Sequence, residues 1–446
     1  MATGFLRVKG TQIVDGNDTP IILRSSALGG WLNMENFLTG FPGMESGVRA
    51  AMQEVMGEER CNFFFDRWLY YFFTEEDAKF FQSLGLNCLR LPFNHRHLED
   101  DMNPRVLKES GFRHLDRVID ICAKHGIYTI LDMHTVPGAQ NQDWHSDNRT
   151  NYAAFWDYKD HPDRTVWLWE QIAQRYKDNP WVAGYNPMNE PADPSRKLLA
   201  PFYARLEKAV RAIDPHHILY LDGNTYAMEW DGFHDVLPNS VYCIHDYSMM
   251  GFPEGELYRG TPEQDKKLES QFLRKCEFNL RHHEINRCRV ALIHKQLQIY
   301  DSHGISWSTW PYKDIGLMGM VSTRPDSPWN KLVWPFVEKK QRLYVDGCLI
   351  KRSPEAEAVL ERMAKWIDEV SPNAKATYPL NWDTKRHIIR AVFHTFLAAS
   401  LYKEFAELFR GKTHEELEEL AKSFCLEQCV LRDDLNKALH QYCKNR

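Results

Sequence analysis

The sequence predicts an α/β protein in which β-strand and α-helix units form a (β/α)8 TIM-type barrel, followed by a helical region. Short apolar runs alternate with amphipathic helical patterns from about residue 20 to 311, which is typical of parallel strands connected by helices. The chain has 446 residues, of which 43% are hydrophobic. This is enough for one barrel of about 250 residues or more and an additional region.

Seven short apolar runs are the candidate barrel strands, so the barrel is expected to lack one βα unit. A hairpin predicted over residues 5–14 precedes the first strand and would close the floor of the barrel. The seven runs cover residues 21–27, 87–93, 128–133, 182–189, 218–222, 241–246 and 305–310.

The character of the chain changes after about residue 350, so we assign residues 1–350 to the barrel and 351–446 to a helical region. Ser353-Pro354 has the pattern of a helix N-cap followed by proline in the first turn. Thr413 and Glu416 have the spacing of a capping box. The stretch 384–410 has helical apolar periodicity and therefore predicts packed helix.

Composition excludes several classes of function. The 55 Lys and Arg residues nearly balance the 61 Asp and Glu residues, which gives no electrostatic case for binding nucleic acid or an anionic membrane surface. No run of about 18 apolar residues could span a bilayer. The first residues lack the long apolar stretch that is typical of a signal peptide. We therefore expect a cytoplasmic monomer that needs no cofactor.

Polar and aromatic residues stand at the ends of the candidate strands, where parallel barrels place their active sites. The second strand carries Arg90, and the third ends at His134. The other strand-end residues are Asn189 and Glu190 after the fourth strand, His245 and Tyr247 after the sixth, and Trp310 at the last.

Together with Leu28-Gly29-Gly30-Trp31-Leu32 after the first strand, these motifs resemble the family 5 glycoside hydrolases of clan A. The resemblance is strongest to the fungal glucanase and β-glucosidase-like members, and the motifs match in order from about residue 5 to 345. It implies retaining hydrolysis of β-glycosidic bonds in a glucoside or glucan-like carbohydrate. The histidines do not form an HxH pair, so a metal site is not predicted.

The resemblance implies catalytic roles for three residues. Retaining hydrolysis needs one carboxylic acid to protonate the leaving oxygen and a second carboxylate, about 5 Å away, to attack the anomeric carbon. Glu190 would be the general acid/base. Asn189 would bind the 2-hydroxyl of the sugar, and Arg90 would hydrogen-bond the nucleophile and keep it ionised.

Four further residues are implied to bind the substrate. His134, His245 and Tyr247 would line the subsite for the sugar ring. Trp310 would form the floor on which the ring stacks.

One element of the family pattern is missing from the sequence: a seventh strand that ends in the nucleophilic glutamate, usually within a Gly-Glu-Phe-like tripeptide. Residues 261–283 and 285–301 instead have two consecutive helical patterns. A strand with its two loops does not fit between them. The leading explanation is a deletion or an exon-skipped gene model.

Two glutamates are weak candidates for the nucleophile. Glu277 lies in the middle of the first helical pattern, next to Arg274 and Lys275, and is interpreted as a solvated helix residue. Glu284 lies at the junction of the two patterns. The alternative to an active hydrolase is a catalytically impaired, carbohydrate-binding barrel, or the product of a defective gene model.

Overall fold

The computed structural model describes residues 2–247, 259, 261–275, 296–297, 300, 305–346 and 353–444. The strands, numbered along the chain, are β1 (Arg7–Lys9), β2 (Gln12–Val14), β3 (Arg24–Ala27), β4 (Cys88–Asn94), β5 (Glu99–Asp100), β6 (Asn103–Leu107), β7 (Tyr128–Thr135), β8 (Val182–Asn186), β9 (Ile218–Asp222), β10 (Ser240–Cys243), β11 (Trp307–Thr309), β12 (Lys313–Asp314), β13 (Val321–Thr323) and β14 (Cys429–Leu431).

The helices are α1 (Asn36–Thr39), α2 (Glu45–Met56), α3 (Glu58–Phe72), α4 (Glu75–Ser83), α5 (Glu109–Lys124), α6 (Asp160–Tyr176), α7 (Leu199–Arg211), α8 (Asn224–Ala227), α9 (Pro262–Lys275), α10 (Pro328–Arg342), α11 (Pro354–Val370), α12 (Thr384–Ile388), α13 (Tyr402–Glu407), α14 (His414–Lys422) and α15 (Asp433–Lys444). A π-helical segment, Ile389–Leu397, continues α12. In the described part of the chain, no helix is long and apolar enough to cross a membrane.

Seven parallel strands form the central sheet in the order β11, β3, β4, β7, β8, β9, β10. The sheet curls into an incomplete barrel with helices around it, and among the described residues its two edges are β10 and β11. Each of the seven predicted strands is confirmed. The predicted helical patterns between residues 276 and 295 lie outside the described residues.

Two strands are shorter at their C-terminal ends than the sequence predicts. β8 ends at Asn186 and β10 at Cys243, whereas the apolar runs suggested residues 189 and 246. The backbone leaves the β-conformation at these points, and Glu190 has a positive φ of 48°. The shortened strands therefore turn their following residues toward the mouth of the barrel.

The barrel core is formed where helices bury one face against the sheet. In α5 the buried residues recur with helical spacing at Phe112, Leu115, Val118, Ile119 and Cys122. Each fully buried side chain of leucine size contributes about 1.5–3 kcal/mol through the hydrophobic effect. This burial fixes the strands and thereby the loops that follow them.

The predicted C-terminal helical region is present. α11 begins after Ser353, whose Oγ accepts a hydrogen bond from the backbone N–H of Ala356 at 3.2 Å. α14 begins with the predicted capping box of Thr413 and Glu416. The stretch 384–410, predicted as packed helix, contains α12, the π-helical segment and α13.

This region shares a hydrophobic core with the barrel helices. Phe424 packs against Trp68 with ring centroids 4.2 Å apart, and Phe405 packs against Phe41 at 5.0 Å. Tyr402 lies so close to α2 that a Cβ on Gly47 would be 2.2 Å from its ring. β14 also pairs antiparallel with β13.

A fully buried ion pair joins the segment after the last barrel strand to α4. Lys313 Nζ lies 2.6 Å from Asp77 Oδ1, and both side chains have no exposed surface. Lys313 also donates hydrogen bonds to the carbonyl oxygens of Phe72 and Phe424 at 2.9 and 2.8 Å. The ammonium group thus links the barrel to the C-terminal region.

Because removing one partner leaves the other charge buried and unpaired, we expect Asp77→Ala to lower the free energy of unfolding by about 3–5 kcal/mol. The matched control is Lys79→Met, which removes the exposed Lys79–Glu76 pair and should cost less than about 1 kcal/mol. Urea denaturation followed by circular dichroism measures both values. Equal effects of the two substitutions would contradict this assignment.

Candidate active site

Glu190 lies at the mouth of the barrel, four residues after the end of β8. Its carboxylate oxygen Oε1 is 2.5 Å from His245 Nδ1, and Oε2 is 3.0 Å from His145 Nε2. Its backbone N–H donates to Asp222 Oδ2 at 3.0 Å. Only 13% of the Glu190 side chain is exposed. A buried carboxylate is therefore held between two imidazole rings, one at each oxygen.

These contacts determine the charge of Glu190. Burial alone would raise the pKa of its carboxyl, but the charge of His245 and the hydrogen bonds from His145 and His245 outweigh burial. The pKa is held well below its ordinary value, so the group is ionised in the ligand-free site. Burial lowers the pKa of His145, whereas its hydrogen bond to Glu190 and the charges of Glu190, Asp143 and Glu35 raise it, with a net upward shift.

His245 has a carboxylate at each ring nitrogen. Its Nδ1 faces Glu190, and its Nε2 lies 3.3 Å from Asp222 Oδ2. Burial lowers the pKa of His245, but the charges of Asp222 and Glu190 and their hydrogen bonds raise it to about 10. Only the imidazolium form can donate from both nitrogens, so His245 is a cation at neutral pH.

Arg90 organises the neighbouring strands. Its guanidinium donates to Asn186 Oδ1 at 2.9 Å and to Asn189 Oδ1 at 2.7 Å, and it lies 3.0 Å from Asp132 Oδ2. Asp132 in turn is 2.7 Å from Nδ1 of His134. The side-chain amide nitrogen of Asn189 is buried and has no partner among the described residues, so it can donate to an oxygen atom of a ligand.

An aromatic wall lies beside these polar groups. The rings of Trp310 and His134 are stacked, with centroids 5.2 Å apart and planes inclined by 6°. A Cβ on Gly29 would be 2.7 Å from the Trp310 ring, so the glycine of the first-strand motif makes room for the indole. Glu35 Oε1 lies 3.6 Å from His134 Nε2. The wall therefore combines a flat apolar surface with a nearby carboxylate.

The structure brings most of the predicted site residues together. Contacts within this group connect Glu190 with His245, Asn189 with Arg90, and His134 with Trp310. Tyr247 lies at the edge, 48% exposed, with its ring 6.3 Å from that of His245. Glu277 and Glu284, the weak candidates for the nucleophile, lie outside the described residues.

Three residues that contact the predicted ones were not predicted from the sequence: Glu35, His145 and Asp222. Asp222 ends β9, so the strand-end rule that selected Glu190 could also have selected it. Glu35 and His145 lie in loops after β3 and β7, and no local pattern distinguishes such residues from ordinary loop residues. In the described part of the chain, no group of three His, Cys, Asp or Glu side chains is arranged to hold a metal ion.

Comparisons with known proteins show the family to which the chain belongs. The family described as Cellulase (glycosyl hydrolase family 5) matches residues 48–314. A β-xylosidase from Phanerodontia chrysosporium is 48% identical over 467 aligned positions that cover 98% of this chain and 97% of the relative. A probable glucan 1,3-β-glucosidase A from Emericella nidulans is 30% identical over 221 positions, covering 47% of this chain and 54% of the relative.

The solved structure of a rutinosidase from Aspergillus niger has the same fold, with a TM-score of 0.51 and 16% identity over 67% of this chain and 92% of that one. This likeness and the curled parallel sheet define a TIM-barrel protein. The chain belongs to glycosyl hydrolase family 5, as its motifs predicted. It is accordingly a glycosyl hydrolase of the kind that acts on β-glycosidic bonds.

The raised pKa of His245 makes stability depend on pH. A histidine whose pKa is raised on folding stabilises the folded state fully below its unfolded pKa, about 6.5. This contribution is lost as the pH rises through the folded value of about 10. We therefore expect the free energy of unfolding to decrease between about pH 7 and 10, and to decrease less steeply in His245→Gln.

Urea denaturation at four pH values in this window measures the two slopes. His234→Gln is the control, because His234 is exposed, so it should leave the wild-type slope unchanged. The same slope in wild type and His245→Gln would mean that His245 is not a cation in the folded protein.

Proposed function

We propose that this chain carries the acid/base half of a retaining β-glycosidase site for β-xylosides or β-glucosides, with Glu190 as the general acid/base. The observation that carries the proposal is the buried Glu190 carboxylate between His145 and His245 at the barrel mouth. The choice of sugar is supported by the β-xylosidase relative, which aligns over nearly the whole chain. The weaker, partial likeness to a glucan β-glucosidase supports glucosides.

As an acid, Glu190 transfers a proton to the glycosidic oxygen while the bond to the anomeric carbon breaks. The carboxylate is ionised in the ligand-free site, so this proton comes from a neighbouring group. The Nε2–H of His145, 3.0 Å from Oε2 of Glu190, can supply it. In the second half of a retaining reaction, the ionised carboxylate accepts a proton from water directly.

The sugar would lie against the aromatic wall. Trp310 offers a flat apolar surface for the ring. The amide nitrogen of Asn189, which has no partner among the described residues, can donate to a hydroxyl next to the anomeric carbon. Hydrogen bonds to this hydroxyl strengthen in the transition state. Arg90 holds Asn189 in place through its 2.7 Å hydrogen bond.

We further propose that the chain lacks the carboxylate nucleophile. Two observations support this proposal. The sequence has two consecutive helical patterns where the seventh strand and its glutamate are expected. The alignment with the β-xylosidase spans 467 positions, more than the 446 residues of this chain, so the relative has residues where this chain has none. Without the nucleophile, nothing traps the oxocarbenium-like centre.

The second candidate function is carbohydrate binding without turnover. It is favoured by the same missing segment, since Asn189, Trp310 and the histidines could still hold a sugar. The two candidates differ in whether the carbon–oxygen bond breaks when a nucleophile is supplied from solution.

Addition of sodium azide to the purified chain with 4-nitrophenyl β-xyloside distinguishes them. Azide forms a bond to the anomeric carbon as the glycosidic bond breaks, and Glu190 gives its proton to the leaving 4-nitrophenolate. We expect hydrolysis without azide to be on the order of 10⁴-fold slower than in a version with the segment of the β-xylosidase restored. Azide should increase turnover and yield the glycosyl azide of inverted configuration.

Glu190→Gln should reduce the azide-dependent rate by about 10²–10⁴-fold, the range of a general acid. Glu58→Gln, on the exposed face of α3, is the matched control and should retain the full rate. If azide releases no 4-nitrophenolate although the chain binds xylose, the second candidate function, carbohydrate binding without turnover, is correct. If the unmodified chain is as fast as the restored one, the proposed loss of the nucleophile is wrong.

A further inference from the structure

A segment of the C-terminal helical region lies over the two loops that carry the histidines beside Glu190. We infer that this segment, residues 378–394, is a positioning element of the active site: it holds the two loops so that His145 and His245 contact Glu190. The inference rests on the proposed role of Glu190. It assigns an active-site role to residues about 200 positions away in the sequence.

The first contact runs through Arg390. Its guanidinium lies 3.0 Å from Asp143 Oδ1, and both side chains are more than nine-tenths buried. Asp143 Oδ1 also accepts a hydrogen bond from the backbone N–H of Trp144 at 3.1 Å and thereby caps the 3₁₀ turn Trp144–Ser146, which contains His145. Arg390 also lies over the Trp144 ring, 3.9 Å from its centroid. Arg390 therefore contacts the first residue of the turn, Trp144, in two ways: at its backbone N–H through Asp143, and directly at its ring.

The same loop also contacts the backbone of Glu190. The side-chain oxygen of Asn141 accepts from the N–H of Asp143 at 2.9 Å, and its amide nitrogen donates to the carbonyl oxygen of Glu190 at 2.9 Å. Displacement of Asp143 would thus move the backbone support of Glu190 as well as His145.

The second contact runs through Trp382 and Tyr378. Trp382, which is 2% exposed, stacks on Tyr226 with centroids 5.8 Å apart and planes inclined by 22°. The hydroxyl groups of Tyr378 and Thr225 are 3.1 Å apart. Both contacts are made with α8, in which residues 225–227 have left-handed backbone dihedral angles. The backbone N–H of His245 is 3.4 Å from the carbonyl oxygen of Ala227, the last residue of α8.

The conformation of α8 needs such support. Thr225, Tyr226 and Ala227 have φ values of 50°, 61° and 59°. A left-handed conformation costs roughly 1–2 kcal/mol for each residue that is not glycine, and it persists only where the surrounding structure enforces it. The contacts of Trp382 and Tyr378 contribute to this enforcement.

The two contacts belong to one unit of the C-terminal region. The Arg390 guanidinium is 5.4 Å from the centroid of the Trp382 ring. Arg390 and His394 lie in the π-helical segment, and the Arg390 guanidinium is 3.0 Å from His394 Nδ1. Burial and the charges of Arg390, Arg386 and Lys340 hold the pKa of His394 well below its usual value, so His394 is a neutral acceptor. π-Helical turns are rare and are often found at functional sites.

A positioning role and a purely electrostatic one predict opposite changes at His145. The carboxylates that face it are Glu190, Asp143 and Glu35, and the ring of His134 is 5.8 Å away. If Arg390 were removed and nothing moved, the uncompensated charge of Asp143 would raise the pKa of His145 further. If the loop is released, His145 loses its hydrogen bond to Glu190 and its pKa falls.

The experiment is an NMR titration of the full chain with ¹⁵N-labelled histidine. We expect Arg390→Met to lower the pKa of His145, and Asp143→Asn to lower it as well. Arg390→Lys, which keeps the charge but not the guanidinium over Trp144, should lower it less. Arg362→Met, which removes an exposed charge of α11 outside residues 378–394, is the matched control and should leave the pKa of His145 unchanged.

Trp382→Leu tests the second contact, with Trp382→Phe as the conservative control. We expect the leucine variant to lower the pKa of His245 from about 10, because α8 loses its aromatic support, and the phenylalanine variant to lower it less. Near-ultraviolet circular dichroism establishes that each variant is folded.

An unchanged or raised pKa of His145 in folded Arg390→Met would overturn the inference. Azide-dependent turnover separates this outcome from failure of the proposed function. A 2,4-dinitrophenyl glycoside releases its phenolate without acid assistance, whereas a 4-nitrophenyl glycoside needs assistance. Displaced histidines should therefore slow only the cleavage of the 4-nitrophenyl glycoside. If wild-type protein cleaves neither substrate, the proposed function fails, while the titration still decides the positioning role.

Discussion

The burial of the Glu190 carboxylate is the constraint on which the rest of the site depends. An ionised carboxylate removed from water is stable only when charges of opposite sign and hydrogen bonds surround it. Here His145 and His245 supply both. Each histidine is backed in turn by a carboxylate, Asp143 or Asp222. Basic and acidic side chains therefore alternate in the series Arg390, Asp143, His145, Glu190, His245 and Asp222.

This arrangement explains how acid/base groups can persist in a chain without a recognisable nucleophile. The carboxylate and its histidines contact one another, and the loops that carry the histidines contact the C-terminal region. In the proposed function, the missing nucleophile is the group that would attack the anomeric carbon, while the groups proposed for proton transfer remain in place. The barrel has the fold of glycosyl hydrolase family 5.

The sequence predicted the strands and the strand-end residues because both depend on local patterns: short apolar runs, and polar residues directly after them. It did not identify His145 or Arg390, because their roles arise from contacts between distant parts of the chain. Arg390 has the pattern of an ordinary residue in an amphipathic helix, and only the fold brings it to Asp143. The helical region predicted from the periodicity of 384–410 is confirmed, but that periodicity did not reveal the π-helical segment within it.

The most direct test of this account is the protonation state of His245 in the wild-type protein. The ¹⁵N chemical shifts of its two ring nitrogens at pH 8 report whether each carries a proton. We predict that both do, because Glu190 and Asp222 each accept a hydrogen bond from the ring. A shift typical of an unprotonated nitrogen at either position would contradict the account, since Glu190 would then lack the neighbouring cation that keeps it ionised.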